Sequence, residues 1–314
     1  MRFLFAITNL ILVAIGAPSE SLARQTDADS ATERRDRGAS WAPDSRRVVV
    51  YSFRGGLPDL FILSLDGGER RLTDTAERWE LEPDWAPDGL RIVFAAGSDM
   101  RSLGIFDMAA DGEDERVLFM EPGTVNAPRY SRDGERIIFS YAAPGRHFAI
   151  FSMDRNGGDL REITQEPQVS ILRPRYSPDG SAILVAARIP VPANNPASDT
   201  EPSRQSWGDL FLLTPDGEMF ARLTDTPHAR ETFMSWSADG GLIFFSRGQE
   251  GEANDLYAMN ADGSDLRRIT HTPQQSEYFS RVSPDGLRLA FDTGDRVYWI
   301  PVNDLNATPV RFPD

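Results

Sequence analysis

The chain has 314 residues, and its 33 Lys and Arg against 48 Asp and Glu give a formal net charge of −15. This acidic balance argues against nucleic acid as a partner, because phosphate binding depends on Lys and Arg that neutralise the backbone. The chain has no cysteine, which excludes disulfides, thiol nucleophiles and Cys-ligated zinc or iron–sulfur centres.

Residues 1–23 have the pattern of a signal peptide. A short basic start is followed by an almost uncharged apolar run from Phe3 to Ile15. The run is short for a membrane span but suits a signal-peptide core, and small residues allow cleavage after Gly16 or Ala23. We predict a periplasmic or secreted protein with residues 24–37 as a flexible leader and no stable membrane span after cleavage. An uncleaved N-terminal anchor is the alternative.

From residue 38 onward the sequence repeats itself six times. The segment WAPDGLRIVF has counterparts whose turn aspartate recurs at intervals of 44, 45, 46, 60 and 46 residues. An aromatic residue stands three positions before this aspartate in five copies, and glycine follows it in five copies. The turn aspartates are Asp44, Asp88, Asp133, Asp179, Asp239 and Asp285. A fixed period of about 45 residues indicates a repeat fold.

Each repeat reads as four short strands. Segments rich in Val, Ile, Phe and Leu alternate with Asp-Gly or Asn-Gly turns, and an Arg-x-Leu-Thr or Arg-x-Ile-Thr segment ends several units, which is typical of β-hairpins. Four strands in about 45 residues is the repeat of a propeller blade. The sequence therefore predicts an all-β fold, a single six-bladed β-propeller with four antiparallel strands per blade over residues 38–314. Ring closure stays open, because the last blade can be complete or can receive a strand from the leader.

Two segments carry a family resemblance. EPDWAPDGLRIVF (Glu82–Phe94) and DLYAMNADGSDLRRIT (Asp255–Thr270) resemble the WD-like repeat of TolB-type propellers. The resemblance implies a periplasmic propeller, and the TolB family works with a peptidoglycan-associated lipoprotein in envelope integrity. Members of that family carry a sizeable domain before the propeller, whereas here we expect only the short leader. We therefore expect a TolB-like propeller and not a full TolB.

Two enzyme families share similar blades. Prolyl-oligopeptidase-type enzymes add an α/β-hydrolase domain, and we expect no such activity because the sequence contains no Gly-x-Ser-x-Gly motif. Oligogalacturonate-lyase-type enzymes hold a metal with His and Gln side chains. A metal-dependent carbohydrate-active enzyme that uses His147, His228 and His271 is therefore the alternative function. The three histidines lack HxH or HExxH spacing, so we predict no metal and no cofactor.

The predicted propeller has two unlike faces. Tight Pro-Asp-Gly and Asp-Gly turns fall on one face, and longer irregular loops, including a Pro-rich insertion from Ile189 to Trp207, fall on the other. Binding residues usually lie on such loops, and exposed Trp, Tyr and Arg anchor protein interfaces. The candidates are Arg78, Trp79, Glu80, Glu82, Arg173, Arg230, Glu231, Glu277 and Tyr278. We predict a monomeric, non-enzymatic scaffold that binds a protein or peptide; ordinary solvated loop charge is the alternative for these residues.

Overall fold

The computed structural model describes residues 35–165, 169–188, 208–226, 229–249 and 251–313. Within these ranges the chain forms six antiparallel sheets of four strands each, which confirms the predicted six-bladed propeller. The predicted signal peptide, all but the last residues of the predicted leader, the insertion from Ile189 to Trp207 and His228 lie outside the described residues. The described part of the chain contains no helical segment that could span a bilayer.

The strands follow one another in chain order within each blade. Blade 1 holds β1 (Asp36–Trp41), β2 (Arg47–Ser52), β3 (Asp59–Ser64) and β4 (Glu69–Arg71), and blade 2 holds β5 (Trp79–Trp85), β6 (Arg91–Gly97), β7 (Gly104–Ala109) and β8 (Arg116–Phe119). Blade 3 holds β9 (Thr124–Tyr130), β10 (Arg136–Ala142), β11 (Ala149–Asp154) and β12 (Arg161–Glu162), and blade 4 holds β13 (Ser170–Tyr176), β14 (Ile183–Arg188), β15 (Asp209–Leu213) and β16 (Met219–Arg222). Blade 5 holds β17 (Ala229–Trp236), β18 (Leu242–Gln249), β19 (Asp255–Asn260) and β20 (Arg267–Arg268), and blade 6 holds β21 (Tyr278–Val282), β22 (Arg288–Asp292), β23 (Val297–Pro301) and β24 (Val310–Arg311).

The Pro-Asp-Gly segments form the tight turns between the first and second strands. In blade 2 the Asp88 carboxylate accepts a hydrogen bond from the backbone N–H of Leu90 at 2.9 Å, and Gly89 has a positive φ of 75°. An aspartate that caps the amide two residues on, followed by a residue without a Cβ, is what such a turn requires. The turn aspartates of the other five blades make the same contact with the amide two residues on.

The hydrophobic core lies between blades. Five clusters of buried side chains each join neighbouring blades, and their largest members, such as Phe94, Phe139 and Phe245, are completely buried in the second strands. The aromatic column adds to this packing, because the Trp41 indole N–H of blade 1 donates to the carbonyl oxygen of Arg281 in blade 6 at 3.1 Å. Each sheet is stabilised by its neighbours, as in other stacked repeats.

The ring closes without an exchanged strand among the described residues. All four strands of blade 6 come from the C-terminal part of the chain, and β1 pairs with β2. The junction is instead made by Asp36, whose N–H donates to the Asp295 carbonyl at 3.2 Å, and by Gly38, whose N–H donates to the Asp292 carboxylate at 3.0 Å. β1 begins at Asp36, so its first two residues fall inside the predicted leader.

Candidate functional site

The first strand of each blade lies nearest the axis of the ring. These six strands contact their neighbours all the way round, so they form the wall of the central channel. All nine predicted binding residues lie in or directly beside these strands. Glu80, Glu82, Arg173, Glu231, Glu277 and Tyr278 are buried, and Arg78, Trp79 and Arg230 are half-buried. Six of the nine candidates therefore lie inside the ring and not on its surface.

Three of the glutamates join one blade to the next. The Thr224 hydroxyl of blade 4 donates to the carboxylate of Glu231 in blade 5, and the same hydroxyl accepts the backbone N–H of Leu210 at 2.9 Å. The pairs Thr73–Glu80 and Thr270–Glu277 repeat this contact between blades 1 and 2 and between blades 5 and 6. We call these three contacts the threonine–glutamate latches.

Each latch is stabilised by an aspartate that is the first residue of the third strand in the same blade as the threonine. At the blade 4 latch, the Asp209 carboxylate accepts the backbone N–H of Thr226 at 2.9 Å and a hydrogen bond from Arg222 at 2.6 Å. Asp59 and Asp255 do the same at the other two latches. The aspartate that begins the third strand and the threonine segment that ends the blade therefore form one side of the junction, and the glutamate of the next blade forms the other.

Burial changes the acidity of the latch glutamates. Desolvation by burial raises the pKa of Glu231 and of Glu277 to about 7 and also raises the pKa of Glu80. Hydrogen bonds from the threonine hydroxyls act in the opposite direction but do not cancel the effect of burial. Two of the three half-buried candidates lie at the junction of blades 1 and 2: Arg78 donates to Glu80 at 2.6 Å, and the Trp79 ring contacts Phe53 edge-on with centroids 6.1 Å apart.

The middle of every first strand carries a bulge. At this point the register with the second strand shifts, and one residue has a positive φ between 50° and 65°. The six equivalent residues are Gly38, Glu82, Ala127, Arg173, Phe233 and Phe279. A left-handed conformation is strained for residues other than glycine, so the fold holds this ring of side chains at an energetic cost. We call it the bulge ring.

A buried ion pair connects non-adjacent blades through the bulge ring. Arg173 of blade 4 donates to the Glu82 carboxylate of blade 2 at 2.7 Å, and the two residues are only 4% and 6% exposed. The Arg173 guanidinium also lies over the Phe233 ring at 4.1 Å from its centroid. Burial alone would raise the pKa of Glu82, but the positive charges of Arg173 and Arg129 hold it below its usual value.

A second ring lies two residues further along each first strand, closer to the tight turns. Its members are Ser40, Asp84, Arg129, Arg175, Ser235 and Arg281, and we call it the arginine ring. Both oxygens of Asp84 already accept hydrogen bonds, from the Ser40 hydroxyl and from the backbone N–H of Tyr130, each at 3.0 Å. The Arg129 Nε lies 3.8 Å from Asp84, and Arg175 donates to the carbonyl of Pro174 at 2.8 Å.

The arginine ring is electrostatically unbalanced. Three arginines face one carboxylate at this level, and the level above contributes the matched pair of Glu82 and Arg173. Desolvation, together with repulsion from Arg129 and Arg281, lowers the pKa of Arg175 well below its usual value. Desolvation and the same repulsion from Arg129 lower the pKa of Arg281 to about 9. The arginines of blades 3, 4 and 6 therefore lie close enough in the channel for their guanidinium charges to repel one another.

The tight-turn face also carries a groove between blades 4 and 5. Its volume is about 580 Å³, and its lining includes Leu212, Phe220 and Trp236 on the apolar side. Arg132 of blade 3 lies on its rim and donates to the carbonyl of Ala238 in blade 5 at 3.2 Å. Phe220 is 54% exposed, which is unusual for so large an apolar side chain. Sequence reasoning missed this groove, because it ranked the tight-turn face below the loop-rich face.

The structure places two of the three histidines, and both are exposed. His147 lines a second groove beside Tyr141 and Phe151, and its Nδ1 lies 3.3 Å from the Ser170 hydroxyl. His271 lies between the blade 5 latch and β21. Among the described residues there is no group of three or more His, Asp or Glu side chains placed to hold a metal ion. Because His228 lies outside them, the metal alternative stays untested.

Comparison with known proteins gives a likeness of fold. No model of a known protein family matches the sequence. The chain is similar to TolB of Acinetobacter baumannii, with a TM-score of 0.59 and 21% identity over 73% of this chain and 53% of that protein. It is also similar to a protein of Agrobacterium tumefaciens provisionally named TolB, with a TM-score of 0.65 and 19% identity over 86% of this chain and 91% of that protein.

Enzymes share the same likeness. An oligogalacturonate lyase of Vibrio parahaemolyticus matches with a TM-score of 0.58 and 12% identity over 92% of this chain and 80% of that protein. The chain spans about half the length of the Acinetobacter TolB, and all three identities are low. What the likeness establishes is therefore the architecture: the described chain is a six-bladed propeller of the TolB-like type.

Proposed function

We propose that the protein is exported to the cell envelope and acts there as a non-enzymatic scaffold that binds a protein or peptide segment. The TolB-like propeller fold supports a scaffold, and the signal-peptide pattern of the first 23 residues supports export. The observation that carries the binding role is the groove between blades 4 and 5. Because six of the nine predicted candidates are buried, we place the binding surface in this groove and not at those residues.

The groove suits an extended peptide with an apolar side chain. Phe220 and Trp236 provide the large aromatic surface that contributes most of the binding energy at many interfaces, and Arg132 provides charge on the rim. Pro178 and Gly240, which lie in the tight turns of blades 4 and 5, border the same groove. Both sides of the groove are therefore held by tight turns. The rim also carries the exposed Asp179 and Asp239, so an apolar floor with a rim of both charges favours a partner segment that combines an apolar residue with polar or charged ones.

A peptide library displayed on phage and panned on the purified protein tests this proposal. We expect enriched peptides to share an aromatic or large aliphatic residue, and their binding to be lost in the Phe220→Asp variant. Leu287→Asp is the matched control, because Leu287 is 59% exposed on a tight turn of blade 6, outside the groove. No enrichment, or equal loss in both variants, would contradict the proposed surface.

Export and the enzymatic alternative need separate measurements. N-terminal sequencing of the protein recovered from the periplasm or medium should give a chain that starts at Ala17 or Arg24. Retention of the complete N-terminus in the cytoplasm would contradict export. Elemental analysis addresses the carbohydrate-active alternative: stoichiometric metal that disappears in His147→Ala would favour an enzyme over a scaffold.

A further inference from the structure

Buried donor atoms collect at the tight-turn end of the central channel. Nε and Nη2 of Arg129, Nε of Arg175 and Oγ of Ser235 are all buried, and none makes a hydrogen bond within the described residues. Leaving a buried charged donor unsatisfied costs free energy, and folded proteins nearly always satisfy such groups with protein, water or ligand atoms. Four unsatisfied donors in one ring therefore indicate a group that the chain itself does not supply.

The charge of the ring points to an anion. The only carboxylate at this level, Asp84, is occupied by Ser40 and Tyr130. One oxygen of Glu82 is occupied by Arg173, and the other lies 3.9 Å from Nη2 of Arg129, too far for a hydrogen bond. Over both rings, the four arginines exceed the two carboxylates by two positive charges, although the whole chain carries −15. A cationic channel in an otherwise acidic protein concentrates anions at its mouth.

We propose that the tight-turn end of the channel is an oxyanion site, in which Arg129, Arg175 and Arg281 bind a phosphate-type or carboxylate group. Planar guanidinium groups bind such oxygens in pairs, which suits two or three arginines that converge from different blades. The oxyanion is either a free inorganic ion or the carboxylate at the end of a peptide. None of the three arginines lines the groove of the proposed function, so this site goes beyond it.

A purely structural role for Arg175 makes a different prediction. If the arginine only fills space, its replacement by Met removes packing and lowers the unfolding temperature. If the arginine belongs to an anion site, Arg175→Met relieves the repulsion from Arg129 and Arg281 and raises the unfolding temperature in anion-free buffer. Gain of stability with loss of binding is the expected signature of a functional charge cluster.

Calorimetric titration of the whole chain at low ionic strength tests the site. The probes are inorganic phosphate, a short peptide with a free C-terminal carboxylate, and the same peptide amidated. We expect one-to-one binding of phosphate or of the free-carboxylate peptide, weakened about tenfold or more in Arg175→Met. Arg175→Lys, which keeps the charge but not the paired donors, should give an intermediate loss.

The arms of the experiment separate the two sources. Binding of phosphate alone assigns a free ion, and binding of the carboxylate peptide but not of the amidated one assigns a chain end. Arg46→Met is the control, because the Arg46 side chain is 70% exposed on a tight turn of blade 1. The proposal is overturned if no probe binds the wild type, if Arg175→Met binds equally well, or if Arg175→Met is less stable than the wild type without anion.

Discussion

Replacing Arg173 with Met removes the partner of a buried carboxylate in the middle of the ring. The two charged groups lie 2.7 Å apart and are only 4% and 6% exposed. Breaking such a pair from one side costs roughly 3–5 kcal/mol, because the remaining charge stays buried. Arg129 moderates this cost, since its Nη2 lies 3.9 Å from the other oxygen of Glu82. We therefore expect Arg173→Met to lower the free energy of unfolding by about 3 kcal/mol, near the lower end of this range.

A double variant shows whether Glu82 and Arg173 stabilise the fold through their mutual interaction or through independent contacts. Glu82→Leu combined with Arg173→Met removes both charges, and we expect it to be more stable than either single variant. Urea unfolding followed by tryptophan fluorescence gives the free energies, with unchanged m-values as the condition for comparing them. A coupling energy of about 2 kcal/mol or more is expected. A coupling energy below about 0.5 kcal/mol would refute the reasoning, because it would mean that the pair contributes no net interaction.

Two further changes test the latches and the contacts between blades. Because burial raises the pKa of Glu231 and Glu277 to about 7, each favours the folded state most strongly below its unfolded pKa of 4.5, and that contribution is lost as the pH rises through 7. When both glutamates are replaced by Gln, the free energy of unfolding in urea should change less between pH 5 and pH 8. The difference is up to about 1.4 kcal/mol per pH unit for each group. An unchanged pH dependence would contradict this prediction. Gly217→Ala should lower the free energy of unfolding by about 1–3 kcal/mol more than Gly180→Ala does. Both glycines have a positive φ, but only at Gly217 would the new Cβ meet a backbone oxygen, that of Ile163, at 1.9 Å. Thermal unfolding of the two variants checks this, and equal losses would contradict the contact.

The fold was predictable because each repeat position has a single physical task. The turn aspartate caps an amide, the glycine after it takes a positive φ, and the Phe94 column packs between sheets. Such tasks recur with the period and leave columns in the sequence. Ring closure had no comparable signal, because the contact that closes the ring occurs only once and so leaves no repeated column in the sequence. The structure decides for a complete blade 6, joined to blade 1 through Asp292 and Asp295.

The site was harder to predict because its residues do not repeat. The bulge ring needs a left-handed residue in each blade, yet only Gly38 has the residue type that signals one. The arginine ring contains serine, aspartate and arginine at equivalent positions, and such variation within a repeat gives no pattern from which a site can be predicted. The latches did leave a signal: a glutamate stands seven residues after the first threonine of the motif at Glu80, Glu231 and Glu277. That constant spacing indicates a structural partner for the threonine.

The most direct test of the account is photo-crosslinking in living cells. A benzophenone-bearing phenylalanine analogue in place of Phe220 lies in the groove between blades 4 and 5, whereas the same analogue in place of Leu287 lies on the same face outside it. We predict a discrete crosslinked protein in the envelope fraction for position 220 and none for position 287. Crosslinks of equal yield at both positions, or none at position 220 in envelope-localised protein, would contradict a scaffold that binds its partner through this groove.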